Sequence, residues 1–222
     1  MMENLFPNVD WEKMWEATLE TLYMTGMSVL ITFVLGMILG ILLFLTSKEN
    51  LWENKLTYTI TSAVVNVFRS IPFIILIVLL IPFTKLLLDT IRGANAALPA
   101  LIIGAAPFYA RMVEIALREV NKGVIEAAKA MGAKTSTIIW KVLIPESLPA
   151  LISGITVTAI ALVGYTAMAG VIGAGGLGNL AYLDGFQRSR EDVTLAATIM
   201  LLLVVFAIQL IGYFFTNKLD KR

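Results

Sequence analysis

The segment Arg69-Ser70-Ile71-Pro72-Phe73 sets a guanidinium between two charge-free stretches, Leu56 to Phe68 and Ser70 to Thr84. An ionisable side chain at membrane depth costs on the order of a few kcal/mol unless it faces protein, water or a snorkelling route, so Arg69 is a candidate for a solute pathway. Pro72 withdraws one helical N–H and bends whatever helix contains it. If the second apolar block becomes a helix only after Arg69, the same charge sits at the interface, and both readings stand at this level. Two further bulky side chains, Tyr165 and Met168, interrupt a run of Gly, Ala, Thr and Ser from Gly154 to Gly170. Small residues let membrane helices pack closely and leave room for a route, which a flexible thioether can plug. Plain packing also accounts for a lone methionine.

The polar segment Arg118 to Glu146 holds a second constellation: Glu126-Ala127-Ala128, then Met131 and Gly132, then Val142-Leu143-Ile144-Pro145. It predicts a short helix opening after Gly123, with Glu126 in its first turn where the helix dipole favours an acid, and closing at Gly132. A second helix follows, with Thr135 or Ser136 as N-cap, ending before Pro145. Ala127 and Ala128 have almost no bulk, so another protein can approach that first helix. Glu-Ala-Ala is also simply a good helix-forming tripeptide.

Other constellations carry less. Gly173-Ala174-Gly175-Gly176-Leu177-Gly178 fits the G-x-G-x-x-G spacing of dinucleotide sites, but no strand precedes it and no βαβ unit surrounds it, so it reads as a turn ending an apolar block. No G-x-x-x-x-G-K-[ST] occurs, so a nucleotide must be bound by another chain. Arg111, Glu114 and Arg118, three and four apart, share one helix face and suit a mutual ion pair. Cysteine and histidine are both absent, which removes thiol nucleophiles, imidazole bases and the commonest zinc ligands and makes this a non-catalytic chain. The net charge of +1 argues against a nucleic-acid partner.

The elements that position these residues follow from where the apolar material lies. Of 222 residues 58% are hydrophobic, gathered into blocks long enough to cross a bilayer whose core needs roughly 20 apolar residues per helix. The blocks predict an all-α integral membrane protein with five transmembrane helices, near 20–46, 57–83, 94–117, 148–171 and 193–216. Lys48, Lys55, the Arg118 to Lys141 segment, Lys218, Lys221 and Arg222 fall on one side, against Lys13, Lys85, Arg92, Arg188 and Arg190 on the other. By the positive-inside rule the N-terminus is outside and the C-terminus cytoplasmic. The acids Glu3, Asp10, Glu12, Glu16 and Glu20 before the first block are wrong for a signal peptide. Trp11 and Trp15 suit either a short interfacial helix or an irregular, indole-anchored tail. One transmembrane domain, 1–222, with 118–146 as a long loop on the cytoplasmic face, is the expected organisation in a cell membrane.

The 118–146 segment resembles the EAA loop of ABC-importer permeases: Glu-Ala-Ala, three residues, Gly, nine residues, Ile-x-Leu-Pro, with Val142 and Ile144 replacing the usual Ile and Leu. The whole chain is similar to the permease subunits of methionine-uptake ABC importers, through Phe68 to Phe73, Gly123 to Ala128, and Gly164-Tyr165-Thr166-Ala167-Met168 followed by the Gly173 to Gly178 run. The resemblance implies the type I ABC importer permease fold, with Glu126, Ala127, Ala128, Met131, Gly132 and Pro145 coupling to an ATPase. It also implies a second copy of this chain, two cytoplasmic ABC ATPase subunits that bind ATP and Mg, an extracytoplasmic binding protein, and D- or L-methionine crossing at the dimer axis between Tyr165 and Met168 of each copy. Permeases for glycine betaine and phosphonate share the elbow and are the near alternative. An ion-coupled secondary transporter is the distant one, disfavoured because Glu114 is the sole acid in the five blocks and lies near an end. A channel or structural subunit leaves the elbow unexplained.

Overall fold

The structure, a computed structural model, describes residues 6–219. Glu3 of the acidic flank, and Lys221 and Arg222 of the basic tail, lie outside the described residues. The described chain is helical: α1 Trp11–Thr46, α2 Lys55–Ser70, α3 Phe73–Leu79, α4 Ile81–Leu88, α5 Ala94–Arg118, α6 Lys122–Ala130, α7 Thr135–Ile138, α8 Ile144–Val171, α9 Gly176–Asn179 and α10 Glu191–Leu219, with π-helical turns at Ile139–Leu143 and Leu180–Phe186. Four helical stretches are long and apolar enough to cross a membrane, and a fifth crossing is supplied by α2 and α3 taken as one bent pair.

Three expectations change in detail. The two tryptophans sit neither on a separate short helix nor on an irregular tail. Asp10 caps α1 by accepting hydrogen bonds from the Glu12 and Lys13 backbone N–H groups, and no proline follows before Thr46, so both indoles ride exposed on the first turns of one 36-residue helix. The second block is not one span over 57–83. α2 and α3 meet at 104° across Ile71 and Pro72, and the chain continues as α3 and α4 to Asp89. Pro72 leads α3, its carbonyl accepting from Ile75 and Leu76 at 2.9 and 3.0 Å.

The third change concerns the elbow. Neither Thr135 nor Ser136 is an N-cap, because Lys134 holds that position without a side-chain bond, and the helix does not stop before Pro145. It runs from Thr135 to Val171 as a single 37-residue stretch. Pro145 cannot donate to the Lys141 carbonyl and its ring crowds that oxygen. A π turn immediately before it, with the Ile144 N–H bonded to the Ile139 carbonyl, widens the ladder enough for the helix to pass. The elbow's second arm is therefore rigidly continuous with the fourth span.

The bundle closes around α1 and α5. Thr18, Thr21, Thr25, Ser28, Thr32, Gly36 and Gly40 recur every three or four residues on α1, and all are buried. A Cβ added at Gly40 would stand 2.6 Å from the Ala110 carbonyl oxygen of α5, so the two backbones touch only because that side chain is missing. In a membrane, where oily surface gains nothing by leaving lipid, such close van der Waals contact is what holds helices together.

Candidate functional site

Three places matter: the elbow at one end of the bundle, the break between α2 and α3 halfway along it, and the glycine turn at the far end. In the elbow, Asn121 caps α6 by accepting from the Gly123 N–H at 2.8 Å. The helix opens at Lys122, so Glu126 lies in its second turn instead of its first. At the other end Gly132 takes φ +77, the left-handed conformation that a Cβ penalises. Ala133 N–H bonds to the Ala128 carbonyl at 3.1 Å and Gly132 N–H to the Lys129 carbonyl at 2.9 Å, the paired bonds of a Schellman cap. That cap reverses the chain and throws α7 against α6.

The two alanines part company here. Ala128 is 5% exposed and packs, with Ile125, Ile138, Leu143 and Val120, into the core under the elbow. Its small size serves the chain's own packing. Ala127 and Glu126 face outward, beside Met131 at 81% exposure and Trp140 at 68%. Trp140 drew no attention in the sequence because nothing in a lone tryptophan on a polar segment tells which way it points. Pro145 is exposed at the start of α8, behind the π turn.

Above the elbow, Glu114 is 2% exposed and holds two guanidinium groups, Arg111 at 2.5 Å and Arg118 at 2.7 Å, as the spacing predicts. Tyr58 of α2 donates to the same carboxylate at 3.3 Å, and Arg111 reaches Ser62 and Asn66 at 3.0 and 2.9 Å. A buried carboxylate needs this many partners to repay its desolvation. The cluster clamps α2 to α5 and so fixes where α2 ends.

It ends at Arg69. The guanidinium lies over the Phe108 ring at 5.9 Å, level with a residue about 15 Å along α5 from its Arg118 end and about 21 Å from its Ala94 end at 1.5 Å per residue. Arg69 is thus level with the middle of α5 and exposed on the single copy. Beside it opens a cavity of about 300 Å³ lined by Phe68, Arg69, Phe73, Gly104, Phe108 and Tyr165. Tyr165 stacks on Phe73 with ring centroids 4.4 Å apart and planes 1° from parallel. The break therefore brings Arg69, Pro72 and Tyr165 together. Met168 stands apart, 45% exposed, on an uncovered face of α8 that also carries Val157, Gly164 and Val171. Nothing lies within 4 Å of a Cβ placed at Gly164.

The glycine turn is closed. Glu20 of α1 accepts from the Gly176 N–H at 2.6 Å and Thr21 from the Leu177 N–H at 2.9 Å. Asn179 donates to the Gly170 carbonyl at 2.9 Å, and a Cβ at Gly178 would overlap the Ala167 backbone.

A bundle of membrane-crossing helices, a capped polar elbow continuous with one span and a broken span at mid-depth define an integral-membrane transport component. Residues 32–222 match the family of binding-protein-dependent transport system inner membrane components, and the chain belongs to that family as a multi-pass membrane protein with the type I importer fold. Over 222 residues, all of both chains, it is 68% identical to the methionine import system permease protein MetP of Bacillus subtilis. Over 212 residues, 96% of this chain and 98% of the other, it is 44% identical to the probable D-methionine transport system permease protein MetI of Pasteurella multocida. Among solved structures, an inward-facing MetNI methionine ABC transporter superposes with a TM-score of 0.93 at 44% identity, covering 96% of this chain and 100% of that one.

Proposed function

We propose that this chain is the translocation subunit of an ATP-driven methionine importer, working as a pair of copies with two cytoplasmic ABC ATPase subunits and an extracytoplasmic binding protein. The observation that carries the coupling half is the elbow: a helix capped at both ends, its Glu126, Ala127 and Met131 turned outward, joined through an unbroken stretch from Thr135 to Val171 to the span that bears Tyr165 and Met168. A helix is stiff over this length, so a push on the elbow is delivered to α8 and not absorbed by a hinge at Pro145. ATP and Mg are bound by the partner ATPase, whose closure moves α6 and, through α7, the inner end of α8. The uncovered face at Val157, Gly164 and Met168 meets its copy across the solute route, where Met168 gates and Arg69, Pro72 and Tyr165 line the approach. In this arrangement 118–146 is the cytoplasmic coupling element of a single domain, and the C-terminus is cytoplasmic.

The test is reconstitution with the ATPase and the binding protein in liposomes, followed by uptake of radiolabelled L- and D-methionine. Uptake is expected to require ATP and to persist when the ion gradients are collapsed. Uptake by the chain alone, or uptake driven by a gradient without ATP, would refute the reading.

A further inference from the structure

The mid-depth break carries one more step, which rests on the importer reading above. Arg69 has no hydrogen bond and no ion pair to any other described residue, although every other charged group at comparable depth, Arg111 and Glu114, is fully partnered. A guanidinium is always charged and presents a planar fork of donors that fits a carboxylate in two parallel bonds. The Arg69 side chain is exposed in the single copy, so its donors are open to a ligand, and it lines a cavity of about 300 Å³. The neighbouring backbone adds the opposite polarity. In an unbroken helix the Phe68 carbonyl would accept from residue 72, but residue 72 is proline and has no N–H to give. The last turn of α2 therefore ends in carbonyl oxygens without helical donors, at the negative pole of the helix. The rest of the wall is apolar: the rings of Phe68, Phe73, Phe108 and Tyr165, with Ile71 and Gly104. Small-molecule sites combine apolar walls with a few convergent polar groups, and discontinuous helices at mid-depth supply such groups in other transporters.

We infer that the α2–α3 break is an in-membrane site for a zwitterionic amino acid with an unbranched apolar side chain, one per copy. Arg69 takes the carboxylate in two bonds. The open carbonyl end of α2 at Phe68 takes the ammonium group. The side chain lies among Phe73, Phe108 and Tyr165, where a thioether sulfur makes favourable edge contacts with the rings. Tyr165 is in α8, so the stretch that links elbow to pathway also forms one wall of the site, and movement of α8 relative to the break opens or closes it. Arg69 and the Phe73–Tyr165 pair then set specificity inside the permease, in addition to any selection made by the delivering protein.

The test uses the assembled transporter in liposomes and L-photo-methionine, a diazirine analogue that cross-links on irradiation, with peptide mapping of the label. Label is expected on the peptides carrying Phe68 to Phe73 and Phe108. Excess L-methionine should suppress it at least tenfold, and methioninol, which has a hydroxymethyl group in place of the carboxylate, should not. Arg69→Gln should lower the label at least tenfold and Arg69→Lys by less, since the lysine keeps the charge but not the fork. Label found only elsewhere in the chain, no label at all, or methioninol competing as well as methionine overturns the site. If Arg69→Gln fails to assemble, the wild-type competition alone decides. ATP-driven methionine uptake is measured in the same liposomes: uptake without label in the pocket sinks this site and leaves the importer reading standing, whereas loss of uptake in the wild type sinks the importer reading.

Discussion

At the elbow, Gly132 has open space where a side chain would go, and the surface around it presents Met131, Trp140, Ala127 and Glu126 outward. At the opposite end of the Thr135–Val171 stretch, Gly170 and Gly178 have no space at all, and the turn between them is tied to α1 by Glu20 and Thr21. The same residue type is used for unlike reasons, a left-handed φ in one place and close backbone approach in the other. On the proposed function the contrast separates a lever with a bare working face from an anchor that fixes the far end of the same helix. In that arrangement the elbow is the pushed end of the helix and the turn its held end, and Tyr165 and Met168 sit between, toward the held end.

The largest effect that would break this contrast is expected at the anchor. Gly178→Val places two methyl groups in the Ala167 backbone and should cost about 3 kcal/mol or more, beyond the usual overpacking range because the obstacle is main chain. Thermal unfolding in detergent, followed by tryptophan fluorescence, checks it. Retention of the wild-type midpoint would mean the outer turn is not fixed.

The next effect distinguishes the two alanines. Ala127→Trp should leave monomer stability within about 0.5 kcal/mol, as surface changes do, while cutting co-purification of the ATPase at least tenfold, equivalent to about 1.4 kcal/mol. Ala128→Trp should lower stability and co-purification together, because that site is already filled by Ile125, Ile138 and Leu143. Equal behaviour of the two variants would erase the distinction between the bare and packed faces of α6.

The smallest effect is expected at Gly132. Gly132→Ala meets no obstacle, so only the left-handed φ of +77 is penalised, by about 1 kcal/mol. Uptake should fall while the outer turn keeps its protection from amide hydrogen exchange. Exchange that rises at both ends would show that lever and anchor are not separable.

Legibility followed range. The Schellman cap at Gly132 and the Arg111, Glu114, Arg118 cluster were readable because each depends on residues within a few positions of one another, where helical geometry leaves little freedom. The fate of Pro145 was not readable. A proline favours a helix end by local rules, and the π turn that carries the chain past it is stabilised by Leu143 and Ile138 packing into the core. Trp140, Phe108 and the Glu20 latch escaped notice for a related reason: nothing in their neighbours along the chain marks them.

Hydropathy, charge placement and motif spacing by themselves settle the membrane class, the number of apolar blocks and the presence of an elbow, since all of these are sums or short-range patterns. Which alanine faces a partner, how deep Arg69 lies, and that Tyr165 belongs to Phe73 while Met168 stays uncovered depend on helices distant in sequence meeting side by side. Period and composition place a residue on a helix. Only the packing of neighbouring helices, with backbones brought into contact at Gly40 and Gly178, determines which face of that helix is covered.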